Sequence, residues 1–338
     1  MDALPEFKLL QPQSLDDIVK ARAAHPESRL LGGGTDLMVN IRRGILAPPV
    51  LIELNGVAQL RALKADAQAL DIGAAVTLTE IAAHPGVAAF YSVVAQAADV
   101  VAGPTHRNMG TLGGNLCLDT RCIFYNQSEW WRAANHHCLK TTGDVCHVAP
   151  KSRGVCFATF SGDLAPALMT LGAEVDVVGP GGRRTLALKD LYIGYARQDE
   201  PVSETRGDGK FFLSLRAGEF VTAVRVRNVP GLRSAYDKIR IRRSIEYPVC
   251  GVAVALRREG DVLADLRVAF TGTNPRPVLL EATDKLCGGA LDARVLDGLD
   301  ALVRDQVMSM KTTFTPGHYR RRMAGVLARR LVERLFEE

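Results

Sequence analysis

The sequence predicts an α+β protein with more than one domain. Its 338 residues are enough for two or three domains with separate cores, and 47% of them are hydrophobic against 23% charged, as in ordinary globular proteins. Patterns typical of capped helices alternate with short apolar strands along the chain. Two glycine-rich turns and one polar segment with four cysteines interrupt this alternation, and they are the candidate functional features.

Residues 1–55 predict a small α/β unit. Ser14 is placed to cap a helix that ends near Ala24, because its hydroxyl can accept a hydrogen bond from the first helical turn. Residues 29–31 predict a short buried strand that leads into the first glycine turn, and residues 50–54 predict a second strand.

Residues 56–228 predict a second unit that contains the cysteine-rich insertion, at about residues 120–159. The insertion lacks helical or strand periodicity, and a loop of that length needs something to hold it. Residues 199–210 are polar and predict another loop. The predicted regular elements of this unit are strands at 70–73, 174–178, 184–188 and 220–227 and helices at 78–83 and 87–98.

Residues 229–338 predict a separate α+β unit, with strands near residues 234–241, 250–257 and 264–271 followed by helices. Its last helix has an apolar residue at every fourth position, at Tyr319, Met323, Leu327, Leu331 and Leu335. Basic stretches at residues 238–243 and 320–330 predict solvated faces.

The charge and hydropathy of the chain exclude several function classes. A net charge of +5, with dispersed arginines, does not indicate a nucleic-acid partner. No apolar run is long enough to cross a membrane, and the start of the chain lacks the pattern of a signal peptide, so we expect a cytoplasmic protein. Thiols stay reduced there, and seven cysteines therefore favour metal or redox chemistry over disulfides.

The two glycine turns are candidate anion-binding sites. Consecutive glycines allow positive φ and let a ligand approach the backbone, whose N–H groups can then bind phosphate. A simple tight turn explains either one equally well, and neither matches the dinucleotide or P-loop motif. Together they could hold the two phosphates of a pyrophosphate. The residues concerned are Leu31, Gly32, Gly33, Gly34, Thr35 and Asp36 in the first turn and Gly110, Thr111, Leu112, Gly113, Gly114 and Asn115 in the second.

The cysteines of the insertion are candidate metal ligands. Stretches of 15, 7 and 9 residues separate Cys122, Cys138, Cys146 and Cys156. Four thiolates suit either a structural zinc ion or an iron–sulfur cluster, and zinc sites usually contain a close Cys-x-x-Cys pair, which is absent here. The remaining cysteines, Cys117, Cys250 and Cys287, are predicted to be buried structural thiols.

The two glycine turns also carry a family resemblance. Four segments resemble the FAD-binding subunit of the molybdenum hydroxylases. They are residues 31–37, residues 107–116, Gly162-Asp163-Leu164-Ala165-Pro166-Ala167 and Ser234-Ala235-Tyr236-Asp237-Lys238. Xanthine dehydrogenase and the medium subunit of carbon monoxide dehydrogenase are members of that family. The resemblance covers nearly the whole chain apart from the insertion.

The resemblance implies a fold and a flavin site. The fold is a two-subdomain FAD-binding fold of the vanillyl-alcohol-oxidase type, at residues 1–55 and 56–228, plus a C-terminal α+β domain at 229–338 that resembles the CO dehydrogenase flavoprotein C-terminal domain. It implies that the two turns wrap the FAD pyrophosphate and that Asp163 contacts the ribose or adenine side. It further implies that Lys238 approaches the isoalloxazine and Leu215 lines the adenine pocket; for Lys238, a surface lysine on a strand is the alternative.

Within the family, an additional 4Fe–4S cluster at this position resembles the 4-hydroxybenzoyl-CoA reductases. That resemblance implies reduced ferredoxin as electron donor, and FAD as the next carrier after the cluster. It implies 2Fe–2S clusters on a small subunit and molybdopterin on a large subunit, in a dimer of heterotrimers, with no catalytic residue on this chain. Two alternatives stay open: an NAD-linked or aerobic hydroxylase whose insertion holds structural zinc, and a scaffold whose flavin site has decayed.

Overall fold

The computed structural model describes residues 4–195 and 206–338, and these ranges contain three main sheets and one short strand pair. The strands are β1 Lys8–Leu10, β2 Arg29–Leu31, β3 Val50–Glu53, β4 Leu63–Ala65, β5 Ala69–Gly73, β6 Glu174–Gly179, β7 Gly182–Ala187, β8 Gly194–Tyr195, β9 Arg206–Gly207, β10 Phe220–Arg227, β11 Leu232–Ile239, β12 Cys250–Glu259, β13 Val262–Thr271 and β14 Val278–Leu279.

Helices separate these sheets and pack on them. They are α1 Leu15–Ala24, α2 Leu37–Arg42, α3 Leu78–Ala83, α4 Pro85–Phe90, α5 Ser92–Asp99, α6 Pro104–Arg107, α7 Leu112–Leu116, α8 Glu129–Ala134, α9 Leu164–Thr170, α10 Ala293–Gln306 and α11 Gly317–Glu337, with short 3-10 turns at Ala58–Leu60, Leu188–Leu191 and Thr283–Leu286. None of the helices in the described ranges combines the length and the apolar character needed to cross a bilayer.

The first sheet is parallel, in the order β1-β3-β2. The predicted cap is confirmed, because the Ser14 side chain accepts a hydrogen bond from the backbone N–H of Asp17 at the start of α1. Central strand β3 is buried over residues 50–52. The prediction of a buried strand at β2 was wrong: β2 pairs on one side only, Arg29 is exposed, and Leu31 is half-buried.

The second sheet is antiparallel, in the order β4-β5-β10-β6-β7. Its central strand β10 joins β5 to β6, with a register shift between Val221 and Ala223. The single helix predicted at residues 87–98 was wrong, since α4 ends at Phe90 and α5 begins at Ser92. Tyr91 lies between them, and its buried hydroxyl donates to the backbone carbonyl of Asp66. Residues 199–205 of the predicted polar loop lie outside the described residues.

The third sheet is antiparallel, in the order β11-β12-β13-β14, and has helices on both faces. Side chains alternate along β12: Ala253 and Ala255 face the core shared with α5 and α9, whereas Val252 and Val254 face the core shared with α10 and α11. The small alanines let α5 and α9 lie close to this sheet.

The prediction of solvated basic faces was wrong at Lys238 and Arg320, which are both buried. Arg320 lies on α11 with 1% of its surface exposed. Its guanidinium donates to the backbone carbonyls of Val249, Met310 and Gly272 and to the Thr312 hydroxyl. These acceptors replace the water that a surface arginine would bind, because burial of an unpaired guanidinium is costly. Burial lowers the pKa of Arg320 to about 10.

The insertion has a closed base and one helix. Arg121 and Thr159 pair through two backbone hydrogen bonds of 2.7 Å, so the segment leaves and re-enters the domain at one point. The prediction that the insertion has no helix was wrong, because α8 forms where the Ser128 hydroxyl accepts a hydrogen bond from the Trp131 N–H. Thr312 of the C-terminal region supports this base by accepting the Ile123 N–H and by pairing with the Thr159 hydroxyl.

Candidate functional site

The two glycine turns lie against each other, although more than 70 residues separate them in the sequence. A Cβ added to Gly33 would overlap the Met109 carbonyl oxygen, and one added to Gly32 would lie 2.8 Å from the Thr111 hydroxyl. Gly34 has φ +71°, a left-handed conformation that favours glycine. The glycines of the first turn are therefore needed for contact with the second turn, in addition to any ligand.

The second glycine turn is held by its own helix and by a later one. Thr111 caps α7, and its hydroxyl accepts a 3.2 Å hydrogen bond from the Gly114 N–H. The Asn115 side chain accepts a 3.0 Å hydrogen bond from the Leu164 N–H at the start of α9. A Cβ on Gly162 would overlap the Asn115 carbonyl oxygen. The turn and the Gly162–Asp163 segment thus form one rigid unit.

Asp36, at the end of the first glycine turn, connects three parts of the chain. Its carboxylate forms an ion pair with Arg121 at the base of the insertion. It also accepts a 3.1 Å hydrogen bond from the Tyr247 hydroxyl and a 3.0 Å hydrogen bond from the Asn40 amide. The Arg121 guanidinium lies 5.1 Å from the centre of the Tyr247 ring. The first turn is therefore fixed to the insertion and to the C-terminal domain.

Asp163 and Lys238 form an ion pair in the interior. They belong to different predicted domains, at residues 56–228 and 229–338. The Lys238 Nζ lies 3.0 Å from the Asp163 Oδ1, and their side chains are 1% and 4% exposed. The same oxygen accepts a 2.5 Å hydrogen bond from the Tyr236 hydroxyl. Burial and the Asp163 charge raise the pKa of Tyr236 well above its usual range. The alternative of a surface lysine was wrong, because the carboxylate offsets the cost of burying the ammonium.

The four cysteines of the insertion line one cavity. It has about 260 Å³ of atom-free space, part of it open to solvent, and apart from the thiols its lining is largely apolar. Burial raises the pKa of Cys122 to about 11 and that of Cys156 to about 12. The lining residues are Cys122, Phe124, Tyr125, Cys138, Leu139, Lys140, Cys146, His147, Val148, Cys156 and Ala158.

Several of these sulfurs have hydrogen-bond donors in the insertion itself, including Cys122, where burial raises the pKa and the backbone N–H groups of Phe124 and Tyr125 lower it in part. The Ala158 N–H donates to Cys156 Sγ at 3.5 Å, and the Thr141 hydroxyl lies 3.9 Å from Cys138 Sγ. His136 and His137 both have φ of 57°, which is strained for residues other than glycine. Within residues 4–195 and 206–338, no group of three His, Cys, Asp or Glu side chains is arranged to bind a single metal ion.

Comparisons with known proteins identify the family of this chain. Residues 5–228 match the family described as FAD binding domain in molybdopterin dehydrogenase, and residues 234–335 match the CO dehydrogenase flavoprotein C-terminal domain. The chain belongs to the FAD-binding medium subunits of the molybdenum hydroxylases. The predicted fold class is confirmed, and this flavoprotein is an oxidoreductase subunit with FAD as its cofactor.

Relatives of this molybdenum hydroxylase flavoprotein span nearly its full length. The aldehyde oxidoreductase FAD-binding subunit PaoB of Escherichia coli is 30% identical over 309 residues, which cover 90% of this chain and 91% of the relative. The carbon monoxide dehydrogenase medium chain of Afipia carboxidovorans is 28% identical over 332 residues, covering 97% and 96%. The solved structure of reconstituted CO dehydrogenase from Oligotropha carboxidovorans matches with a TM-score of 0.77 at 25% identity, covering 99% of each chain.

The structure brings most of the sequence-predicted site residues into three groups. The two glycine turns form the first, Asp163 with Lys238 the second, and the four cysteines the third. Leu215 stands apart from them and packs, half-buried, against the main core. Their contacts with FAD and metal stay predictions. Sequence reasoning missed Arg121 and Lys140. Both are charged residues of the insertion that lie close to a candidate ligand in the sequence, Arg121 beside Cys122 and Lys140 near Cys138, and this position could have identified them.

Proposed function

We propose that this chain is the electron-transfer flavoprotein subunit of a multi-subunit molybdenum hydroxylase, and that its insertion holds a 4Fe–4S cluster. The observation that carries the proposal is the convergence of four cysteines, from positions spread over the insertion, on one cavity. When bound, the cluster supplies one-electron transfer and FAD supplies exchange of one or two electrons.

The residues of the cavity fit an iron–sulfur cluster. Cysteine thiolates are the usual ligands of such clusters, and hydrogen bonds to sulfur are typical of their surroundings. Cys156 and Cys138 have such donors in Ala158 and Thr141. A zinc ion needs all its thiolates within about 2.3 Å of one point. The four cysteines include no close Cys-x-x-Cys pair, which zinc sites usually contain, so the spacing favours a cluster over zinc.

The residues of the glycine turns fit a dinucleotide. Gly32 and Gly33 lie against the second turn, and the Thr35 hydroxyl lies close to Gly110, so both turns bring backbone without side chains to one place. Arg121 couples this region to the cavity, because its side chain pairs with Asp36 while its neighbour in the sequence is the ligand Cys122. This one-residue connection supports a role in transfer between the two cofactors.

Partners and substrate rest on the family and on the insertion. The relatives are medium chains or FAD-binding subunits, so we propose a large molybdenum subunit and a small 2Fe–2S subunit as partners, in a dimer of heterotrimers located in the cytoplasm. We further propose 4-hydroxybenzoyl-CoA reduction to benzoyl-CoA, with reduced ferredoxin as donor. A low-potential one-electron donor suits that reduction, and an additional one-electron cluster provides an entry point for it.

A second candidate function is aldehyde oxidation. The observation that favours it is the 30% identity to the Escherichia coli aldehyde oxidoreductase FAD-binding subunit over 90% of this chain. In that case electrons leave through this subunit instead of entering. An NAD-linked or aerobic hydroxylase with structural zinc in the insertion is a further alternative. Its zinc content distinguishes it from the CoA-ester reductase and from the aldehyde oxidoreductase.

The test is metal analysis and kinetics on the complex purified without oxygen. We expect four irons and four sulfides per copy of this chain beyond those of the small subunit, and no zinc. Cys138→Ser should remove these irons and abolish ferredoxin-driven reduction of 4-hydroxybenzoyl-CoA, while dithionite still bleaches FAD. One zinc per chain without the additional iron would refute the cluster.

Cys287→Ser is the matched control, since Cys287 is half-buried in the C-terminal domain, outside the cavity. It should keep both metal and activity. Full ferredoxin-driven rates in Cys138→Ser would rule out the cluster as the entry point. Turnover with aldehydes and an oxidising acceptor, without turnover of the CoA ester, would favour the second function.

A further inference from the structure

Lys140 places a fixed, buried ammonium group beside the cysteine cavity. Its side chain is 6% exposed although it lies on the insertion. The Nζ donates to Asp119 Oδ1 at 2.7 Å, to the Thr120 hydroxyl at 2.5 Å and to the Gly209 carbonyl at 2.7 Å. These three acceptors use all three of its N–H donors. The ammonium also lies 5.0 Å from the centre of the Tyr125 ring, another residue of the cavity wall.

Lys140 is the one lysine or arginine among the described residues that line this cavity. The other titratable group there, besides the thiols and Tyr125, is His147, whose Nε2 lies 2.6 Å from the His137 carbonyl oxygen. Its imidazole is neutral or positive, so it cannot cancel the lysine charge.

Two carboxylates lie behind the cavity wall and oppose Lys140. Asp119 pairs with it directly but has a third of its side chain in solvent, which screens its charge. Asp208 is buried and accepts the Cys156 N–H at 2.8 Å, along with the N–H groups of Lys210 and Phe211. These backbone donors partly offset its negative charge.

Lys140 is closer to the cavity than the two carboxylates are. It belongs to the cavity lining, whereas Asp119 and Asp208 do not. The field of Lys140 therefore favours negative charge in the cavity even with both carboxylates in place.

We propose that Lys140 sets the redox potential of the group held in the cysteine cavity, by stabilising its reduced state. The inference rests on the proposed 4Fe–4S cluster. Reduction adds one negative charge to such a cluster, and a fixed cation nearby favours that form, since net charge and hydrogen bonding are the main influences on cluster potential. Lys140 acts through its charge and position and is not a metal ligand. Its partner Asp119 should have the opposite influence.

The test is a redox titration of the cluster in the intact complex, followed by low-temperature EPR. Lys140→Met should shift the ratio of reduced to oxidised cluster at least tenfold towards the oxidised form at a given potential, which lowers the midpoint by about 59 mV for one electron. Asp119→Asn should shift it in the other direction. Lys140→Arg should stay close to the native potential. Lys151→Met is the matched control: Lys151 is an exposed lysine of the same insertion and should leave the potential unchanged.

The outcomes separate charge from structural support. If Lys140 only ties the insertion to Thr120 and Gly209, both Lys140→Met and Asp119→Asn lower thermal stability but leave the potential unchanged, and the inference is overturned. If Lys140→Met fails to assemble a cluster, the midpoint potential of Asp119→Asn is the deciding measurement. A higher potential than in the native complex supports the inference, and an unchanged one overturns it. A native complex without the additional cluster overturns the proposed function, whereas a native cluster with equal potentials in all variants overturns this inference only.

Discussion

The buried ion pair between Asp163 and Lys238 offers the sharpest test of how the domains are held together. Replacing Lys238 with methionine keeps an unbranched side chain of similar length but removes its charge. Asp163, 4% exposed on its side chain, then loses its only cation among the described residues. It keeps the 2.5 Å hydrogen bond from the Tyr236 hydroxyl. We therefore expect a large loss of stability that is limited by this remaining donor.

The magnitude follows from the burial of both charges. Breaking a buried ion pair on one side costs about 3–5 kcal/mol, because a charge is left without a partner in the interior. The remaining hydrogen bond to a charged group is worth about 1.5–3 kcal/mol, which places Lys238→Met near the lower end of that range. In the double variant Asp163→Asn with Lys238→Met no charge is left unpaired, so it should be more stable than Lys238→Met alone.

The assay is urea unfolding followed by circular dichroism, with the flavin absorbance recorded for each variant. Lys64→Met is the control, because Lys64 is exposed on strand β4, and we expect a change within about 0.5 kcal/mol. A loss below about 1 kcal/mol in Lys238→Met, or a double variant as unstable as the sum of the single ones, would refute the reasoning. A changed flavin spectrum in Lys238→Met would support the predicted contact with the isoalloxazine.

Two further predictions concern the glycine turns and the base of the insertion. Gly33→Ala should lose most of its bound FAD, because the added Cβ would overlap the Met109 carbonyl and separate the two turns. FAD is measured as flavin absorbance per chain. The control Gly181→Ala, which has open space around its Cβ, should retain FAD. Full occupancy in Gly33→Ala would contradict the close contact. Arg320→Met should lower the free energy of unfolding by on the order of 3 kcal/mol, since four acceptors lose their donor, whereas exposed Arg321→Met should change it little. Equal stability of these two variants would show that the buried guanidinium is not needed.

Residue types and spacing in the sequence were sufficient for the fold class and for most regular elements. The Ser14 cap, the helix at residues 78–83 and the central strand β10 depend on neighbours within a few residues, and they formed as predicted. Helix boundaries differed from the prediction where a tertiary contact intervened. Tyr91 interrupts a helical pattern because its hydroxyl bonds to Asp66, and this partner is 25 residues away.

The candidate site was predictable in its parts but not in its assembly. Glycine-rich turns and grouped cysteines indicate ligand binding from their chemistry alone, so the sequence by itself determined the family, the cofactor class and the candidate ligands. Only the tertiary structure decided that Gly33 lies on Met109, that Asp163 pairs with Lys238 and that Lys140 lies beside the thiols. The physical reason is that burial of a charge depends on partners brought together from distant segments, and those partners leave no local pattern in the sequence.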